Sequence, residues 1–278
     1  MINLSHFGKE IHRRHDEFGP ILVFDDGNKR YLSFGTADEQ SCQLKHAPLQ
    51  LQHEYARAMC AVLVQFDSLK PPENITLLGT GGGTLASVLF NLLPNAHIQA
   101  VDIRHAVLMV AHQYFALPRA ARLTTHVQDA AEFLRQADSG QSDLLICDLY
   151  QAGGLDPLVL QADFLDLCQQ HLAADGWLVL NLWKEHRKQT GCLEQLKLRF
   201  SHTLQTTTTD GNWIIWASNS AQVAGKEKAQ QRSVALSPLV DFNLWRSVKG
   251  FYRHRWLGWL VGRGFNPTWR CKRQAIRG

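Results

Sequence analysis

The chain has 278 residues, 45% of them hydrophobic, and a formal net charge of +4, enough for one large α/β domain with appendages and a sizeable core. No run reaches the roughly 18 apolar residues that a membrane helix needs, and the N-terminus has no signal-peptide architecture, so the expectation is a cytoplasmic protein. Cysteines 42, 60, 147, 168, 192 and 271 form no CxxC pair; they read as reduced, mostly core thiols, which argues against a disulfide frame or a zinc site.

Ile21–Phe24 and Arg30–Phe34 flank Asp25-Asp26-Gly27-Asn28, the pattern of a β-hairpin with Asp-Gly at its turn. From His53 to Phe66, apolar residues recur at helical spacing, and Pro71-Pro72 closes that segment. From 74 onward the pattern alternates. Strands are expected at 75–79, 97–102, 122–127, 143–148 and 176–182, with helices at 84–92, 104–116, 129–137, 158–173 and 189–200. Runs 203–209 and 212–218, joined by Asp210-Gly211-Asn212, read as a closing antiparallel pair. Near-continuous apolar strands alternating with helices imply a parallel sheet covered on both faces. The expected fold is therefore α/β: a Rossmann-like, mostly parallel seven-stranded sheet with helices on both faces, preceded by a small N-terminal β-hairpin region.

Residues 220–240 read as a polar linker. The tail 241–278 interleaves aromatics with cations. From 221 onward there are 12 Lys/Arg against two Asp/Glu, while residues 1–220 hold 17 against 23. An acidic body thus carries a basic tail. The expected division is 1–70 for the hairpin and helix, 71–220 for the nucleoside-binding domain, and 221–278 for linker and tail. Such a tail suits single-stranded nucleic acid or an anionic membrane surface. Folding against the acidic body is the favoured expectation.

The chemistry gathers at strand ends. Ile75–Thr84 runs an apolar strand into Gly79, Gly81, Gly82 and Gly83 and then into a helix, and Asp102 ends the next strand, 19 residues after Gly83. Glycines there let backbone approach a nucleoside, and the acid accepts hydrogen bonds from a ribose diol. A dinucleotide fingerprint would place glycine at position 84, where this chain has Thr84. Asp129 opens a helix and is a favoured N-cap; the same position can also meet an adenine edge. Asp148 ends an apolar strand and enters a glycine-bearing loop, where a carboxylate is poised for base work on an amine or hydroxyl. Tyr150 and Gln151 lie where an acceptor should sit. Tyr55 falls at core spacing in the 53–66 helix.

The order of these elements resembles the spermidine synthase (polyamine aminopropyltransferase) family, especially its divergent bacterial spermidine synthase-like members, with a class I methyltransferase-type fold. The resemblance spans roughly 20–219. It rests on the hairpin, Ile75–Thr84, Ala100-Val101-Asp102, Val127–Phe133, Asp143–Asp148, Leu172–Leu180 and Gly211–Ser218. It implies a donor of the S-adenosylmethionine type, decarboxylated or ordinary, an amine acceptor, no metal, and a homodimer. Asp102 would hold the ribose, Asp129 with Ala130 the adenine, with Ile103 also at the donor, and Asp148 would take or relay a proton. The family has a Tyr and a His-Glu near 53–55, so His53, Glu54 and Tyr55 would face the cleft, with Tyr55 a substrate-side candidate. The chain departs from the family's pattern where Gly82 replaces an Asp of the glycine loop and Gln151-Ala152 replace a second Asp followed by Pro. Gly19-Pro20 replace a Gln before the hairpin. The first departure makes ordinary S-adenosylmethionine, and hence methyl transfer, the second enzyme reading. A non-catalytic nucleoside-binding or interaction protein working through its basic tail is the third.

Overall fold

The computed structural model describes residues 4–136, 141–188 and 191–252. The N-terminal strands β1 (Lys9–Asp16), β2 (Gly19–Asp26), β3 (Lys29–Ser33) and β4 (Ser41–Leu44) form an antiparallel meander. The expected hairpin is its centre: Asp26 pairs with Lys29 across a Gly27-Asn28 turn. β1 carries KEIHRRHD and is mostly exposed, so it shows no alternation in sequence and is specified by its pairing to β2. One face of this sheet, with Ile21, Val23, Leu32 and Phe34, packs on helix α3 (His105–Tyr114) through Ala106, Val107 and Val110.

Helix α1 (Glu54–Cys60) continues as a 3-10 turn, Ala61–Gln65. The large sheet then follows with β5 (Asn74–Leu78), α2 (Thr84–Leu92), β6 (His97–Asp102), α3, β7 (Leu123–Val127) and α4 (Ala130–Arg135). It continues with β8 (Ser142–Cys147), a small ribbon of β9 (Tyr150–Gln151) and β10 (Gly154–Leu155), α5 (Ala162–His171), β11 (Leu172–Trp183), α6 (Gly191–Arg199), β12 (His202–Thr207) and β13 (Asn212–Ser218). The sheet order is β12-β13-β11-β8-β5-β6-β7. Strands β11, β8, β5, β6 and β7 are parallel, and β13 runs antiparallel between β11 and β12. The chain reverses direction across the sheet at β5, which pairs with β6 on one side and β8 on the other.

Alternate residues of each central strand feed two cores, as burial on both faces requires. Ile75, Leu77, Leu144, Ile146, Val179, Ile214 and Trp216 pack beneath α1 and α2. Leu78, Leu145, Cys147, Leu178, Leu180 and Ile215 pack against α4, α5 and α6. Leu51, Met59 and Val62 join the first of these cores, so the helix expected to belong with the hairpin in 1–70 packs with the large sheet.

The segment expected as a linker, 220–240, is not one. Lys226–Val240 forms helix α7, followed by α8 (Leu244–Val248) and a 3-10 turn, Lys249–Tyr252. Its buried residues are Ala229, Ser233 and Val240, too small or too sparse to give an apolar stripe in the sequence. Polar bonds fix it instead: Arg232 donates to the Val64 and Gln65 carbonyls, both at 3.1 Å, and to Asp67 at 2.8 Å. Phe251 stacks on Trp216 with centroids 3.6 Å apart. The tail through Tyr252 therefore packs on the body. Residues 253–278, with most of the cations and aromatics singled out in the sequence, lie outside the described residues, as do 137 and 189–190 at expected helix ends. Cys42, Cys60, Cys147, Cys168 and Cys192 are buried free thiols. No described helix is long and apolar enough to cross a membrane.

Candidate active site

A cavity of about 960 Å³ opens at the carboxyl ends of the central strands. That is where open α/β sheets bind ligands, at the point of strand-order reversal. Gly79, Gly81, Asp102, Ile103, Asp129, Ala130, Asp148, Tyr150, Gln151 and Tyr55 all line it.

The glycine loop has two faces. Gly79 has φ +86°, and a Cβ there would overlap the Asp148 carbonyl oxygen. The β5 and β8 ends can approach this closely only with glycine. The amides of Thr80 and Gly81 donate to Asp102 Oδ2 at 3.1 and 3.4 Å, and the Arg104 amide donates to Oδ1 at 2.9 Å. Burial pushes the Asp102 carboxyl up from its ordinary range, and these three amides oppose the shift. Gly82 and Gly83, expected among the donor-binding glycines, do not line the cavity. Gly82 packs on Ser41, itself a cavity residue: its amide donates to Ser41 Oγ at 2.9 Å, and a Cβ would stand 2.9 Å from Ser41 Cβ and 3.2 Å from Phe115. Gly83 is the left-handed N-cap of α2, with φ +70°, and a Cβ would meet Leu117 at 2.8 Å. They serve the packing of β4 and α3 against the loop, so the Gly82 departure is matched by Ser41 filling the space.

Asp129 is both cap and cavity wall: its Oδ1 accepts from the Ala131 and Glu132 amides at 2.9 and 3.0 Å. Asp148 Oδ1 accepts from Asn181 Nδ2 at 2.8 Å. Burial pushes Asp148 up to about 6, with the Asn181 hydrogen bond opposing. Asn181 Oδ1 in turn accepts from Asn212 Nδ2 at 3.0 Å, and Tyr150 Oη donates to the Asn181 carbonyl at 3.3 Å. Gln151 is exposed and donates to Asp156 Oδ2 at 2.8 Å, and both residues line the cavity. Tyr55 is half-buried: it lines the cavity, packs on the core, and stacks on His53 at 5.0 Å.

Sequence reasoning missed several cavity residues. Asn181 sits within the apolar run of β11, where one polar residue looks incidental; it is 2% exposed and hydrogen-bonded on both sides. Asn212 looked like a turn residue. Phe18, Phe34 and Glu39 come from the N-terminal meander, which closes one side of the cavity. His53, which the resemblance had placed at the cleft, does line it; its Nδ1 lies 3.4 Å from Glu39, its Nε2 is buried without a partner among the described residues, and burial pushes its pKa down to about 4. Glu54, which the resemblance had placed at the cleft, instead accepts from the amide and hydroxyl of Thr209.

The cavity therefore offers a backbone cradle, two acids held by amide N–H groups, and a buried acid with a raised pKa. Comparison with known proteins gives the same direction. The chain is 26% identical over 237 residues to the polyamine aminopropyltransferase of Neisseria meningitidis, a match that covers 84% of this chain and 89% of that one. It is also 26% identical to the mouse eEF1A lysine and N-terminal methyltransferase, over 53% of this chain and 23% of that one. The crystal structure of a probable spermidine synthase from Corynebacterium glutamicum superposes with a TM-score of 0.71 at 19% identity, covering 94% of this chain and 99% of that one. The model of the spermine/spermidine synthase domain matches residues 52–209, more than half of the sequence, and the chain belongs to that family.

Proposed function

We propose that the protein is an aminopropyltransferase of polyamine biosynthesis, moving an aminopropyl group from a decarboxylated S-adenosylmethionine-type sulfonium donor to a small-molecule amine. The observation that carries this reading is the convergence of Asp102, Asp129 and Asp148, from three strand ends, on one cavity beside Gly79 and Gly81. The aminopropyltransferase relative matches along most of its length, whereas the methyltransferase relative matches over less than a quarter.

In this reading Asp102, fixed by three amides, accepts the ribose hydroxyls, with Ile103 against the sugar, and Asp129 with Ala130 meets the adenine. Asp148 takes a proton from the acceptor ammonium. The freed nitrogen lone pair attacks the methylene carbon next to sulfur. The C–S bond breaks with its electron pair going to sulfur, so the sulfonium becomes a neutral thioether and the positive charge passes to the new secondary amine. Holding both reactants in line lowers the barrier to such a displacement by pre-paying the entropy of bringing them together. A carboxyl at about 6 is mostly ionised at neutral pH and can accept the proton. Tyr150, Gln151 and Tyr55 would flank the acceptor.

Titration calorimetry with S-adenosylmethionine, its decarboxylated form and methylthioadenosine tests the donor site, and failure to bind any of them overturns the reading. Gly82, in place of the family's Asp, favours the methyltransferase reading. Product mass separates the two: an added aminopropyl group supports the proposal, an added methyl group replaces it.

A further inference from the structure

We propose that Asn181 and Asn212 form a two-amide relay that positions Asp148, reserving one carboxylate oxygen for the acceptor's proton; the inference rests on the proposed transfer chemistry. Asn212 Nδ2 donates to Asn181 Oδ1 at 3.0 Å, and Asn181 Nδ2 donates to Asp148 Oδ1 at 2.8 Å. An amide can face a carboxylate with either end, and only the nitrogen end is attractive. Asn212 removes that ambiguity, because its donated hydrogen holds the Asn181 oxygen away from Asp148. Among the described residues Asp148 Oδ2 has no protein donor, so it is the oxygen left for substrate.

The placement follows from the sheet. Asn181 lies in β11 next to β8, whose end carries Asp148, and Asn212 opens β13 on the other side of β11. Three adjacent strands thus contribute one member each. Tyr150 adds a further restraint by donating to the Asn181 carbonyl.

The relay also sets the base strength. The titratable groups facing Asp148 are Tyr55 from α1, Tyr150 from β9 and the adjacent Cys147, all pushed upward, burial being the largest cause in each, and so neutral in the working range. Burial alone raises the Asp148 carboxyl, and the Asn181 hydrogen bond is what restrains that rise.

The test uses the full chain with decarboxylated S-adenosylmethionine and butane-1,4-diamine as probes. It compares wild type with Asn181→Leu and Asn212→Ser. The Asp148 titration is read by carbon-13 carboxyl NMR, assigned by difference against Asp148→Asn, alongside the pH profile of kcat/KM. The expected result for Asn181→Leu is an Asp148 midpoint raised by about one to two pH units, the loss of one hydrogen bond to a charged group. The acid limb of the rate profile follows it, so activity lost near neutral pH returns at about pH 9 while KM for the diamine stays within about twofold. Asn212→Ser moves the midpoint the same way by less; it sits at a half-buried position and carries the test if Asn181→Leu does not fold. A midpoint unmoved in the folded variants overturns the relay, as does activity lost equally at every pH. Wild-type protein that transfers no aminopropyl group overturns the functional reading instead, and the NMR midpoints still decide the relay.

Discussion

Arg104 grips Asp16 through two hydrogen bonds, 3.0 and 2.7 Å, while its own backbone amide holds Asp102. One residue thus ties the N-terminal meander to the proposed ribose acid. Its guanidinium also donates to the Gly19 carbonyl and lies 4.5 Å from the centroid of Phe34, a cavity wall. Both side chains of the pair are largely buried, at 7% and 13% exposure.

Asp16→Ala should therefore be costly. Removing one partner of a buried pair leaves the other charge uncompensated, at about 3–5 kcal/mol. Urea unfolding should show that loss, together with weaker methylthioadenosine binding, because the meander closes one side of the cavity. Arg104→Met combined with Asp16→Leu should recover most of the stability but not the binding.

Asp148→Asn should stabilise the fold and abolish transfer. An acid whose folded pKa is about 6 against an ordinary 3.8 loses its proton in the unfolded chain first. Stability is therefore lost as pH rises from about 4 to about 6, and the loss persists above that. Two pKa units correspond to about 3 kcal/mol at most. Asn keeps an acceptor for Asn181 without the charge, so thermal melts near neutral pH should rise, by roughly 1–3 kcal/mol in stability, and the difference should shrink below pH 4.

Gly82→Asp, the change back toward the family's loop, should not restore the family's donor recognition by itself. Its Cβ would crowd Ser41 and Phe115, within 2.9 and 3.2 Å. Overpacking of this kind costs about 1–3 kcal/mol. The measurement is the ratio of dissociation constants for ordinary and decarboxylated S-adenosylmethionine. It should change only when Ser41→Gly is added to make room.

Phe251→Ala should destabilise the whole protein by about 3–5 kcal/mol, the range for deleting a buried aromatic. A linker-borne tail would show no such effect. Gln65→Leu should act in the same direction, because Gln65 bonds both the Tyr252 hydroxyl at 2.8 Å and the Ala224 amide at 3.0 Å in a buried site. Chemical unfolding checks both.

What the sequence determined by itself was the large sheet and the acids at the carboxyl ends of its strands. Strand and helix periods are local properties, and a strand buried on both faces is apolar enough to be seen alone. Asp102, Asp129 and Asp148 follow from that reading because strand ends fall where the apolar runs stop. The tertiary structure decided what local pattern cannot encode. Asn181 became a partner of Asp148 only because β11 lies beside β8, and Asn212 only because β13 returns antiparallel. Helix α7 was hidden because small side chains and polar bonds dock it. Gly82 differs from Gly79 and Gly81 in that it lies outside the cavity lining, with its amide bonded to Ser41 Oγ. Sequence spacing placed all three glycines in one loop; the packing of Ser41 and Phe115 around position 82 is a contact between segments distant in sequence, which local pattern does not encode.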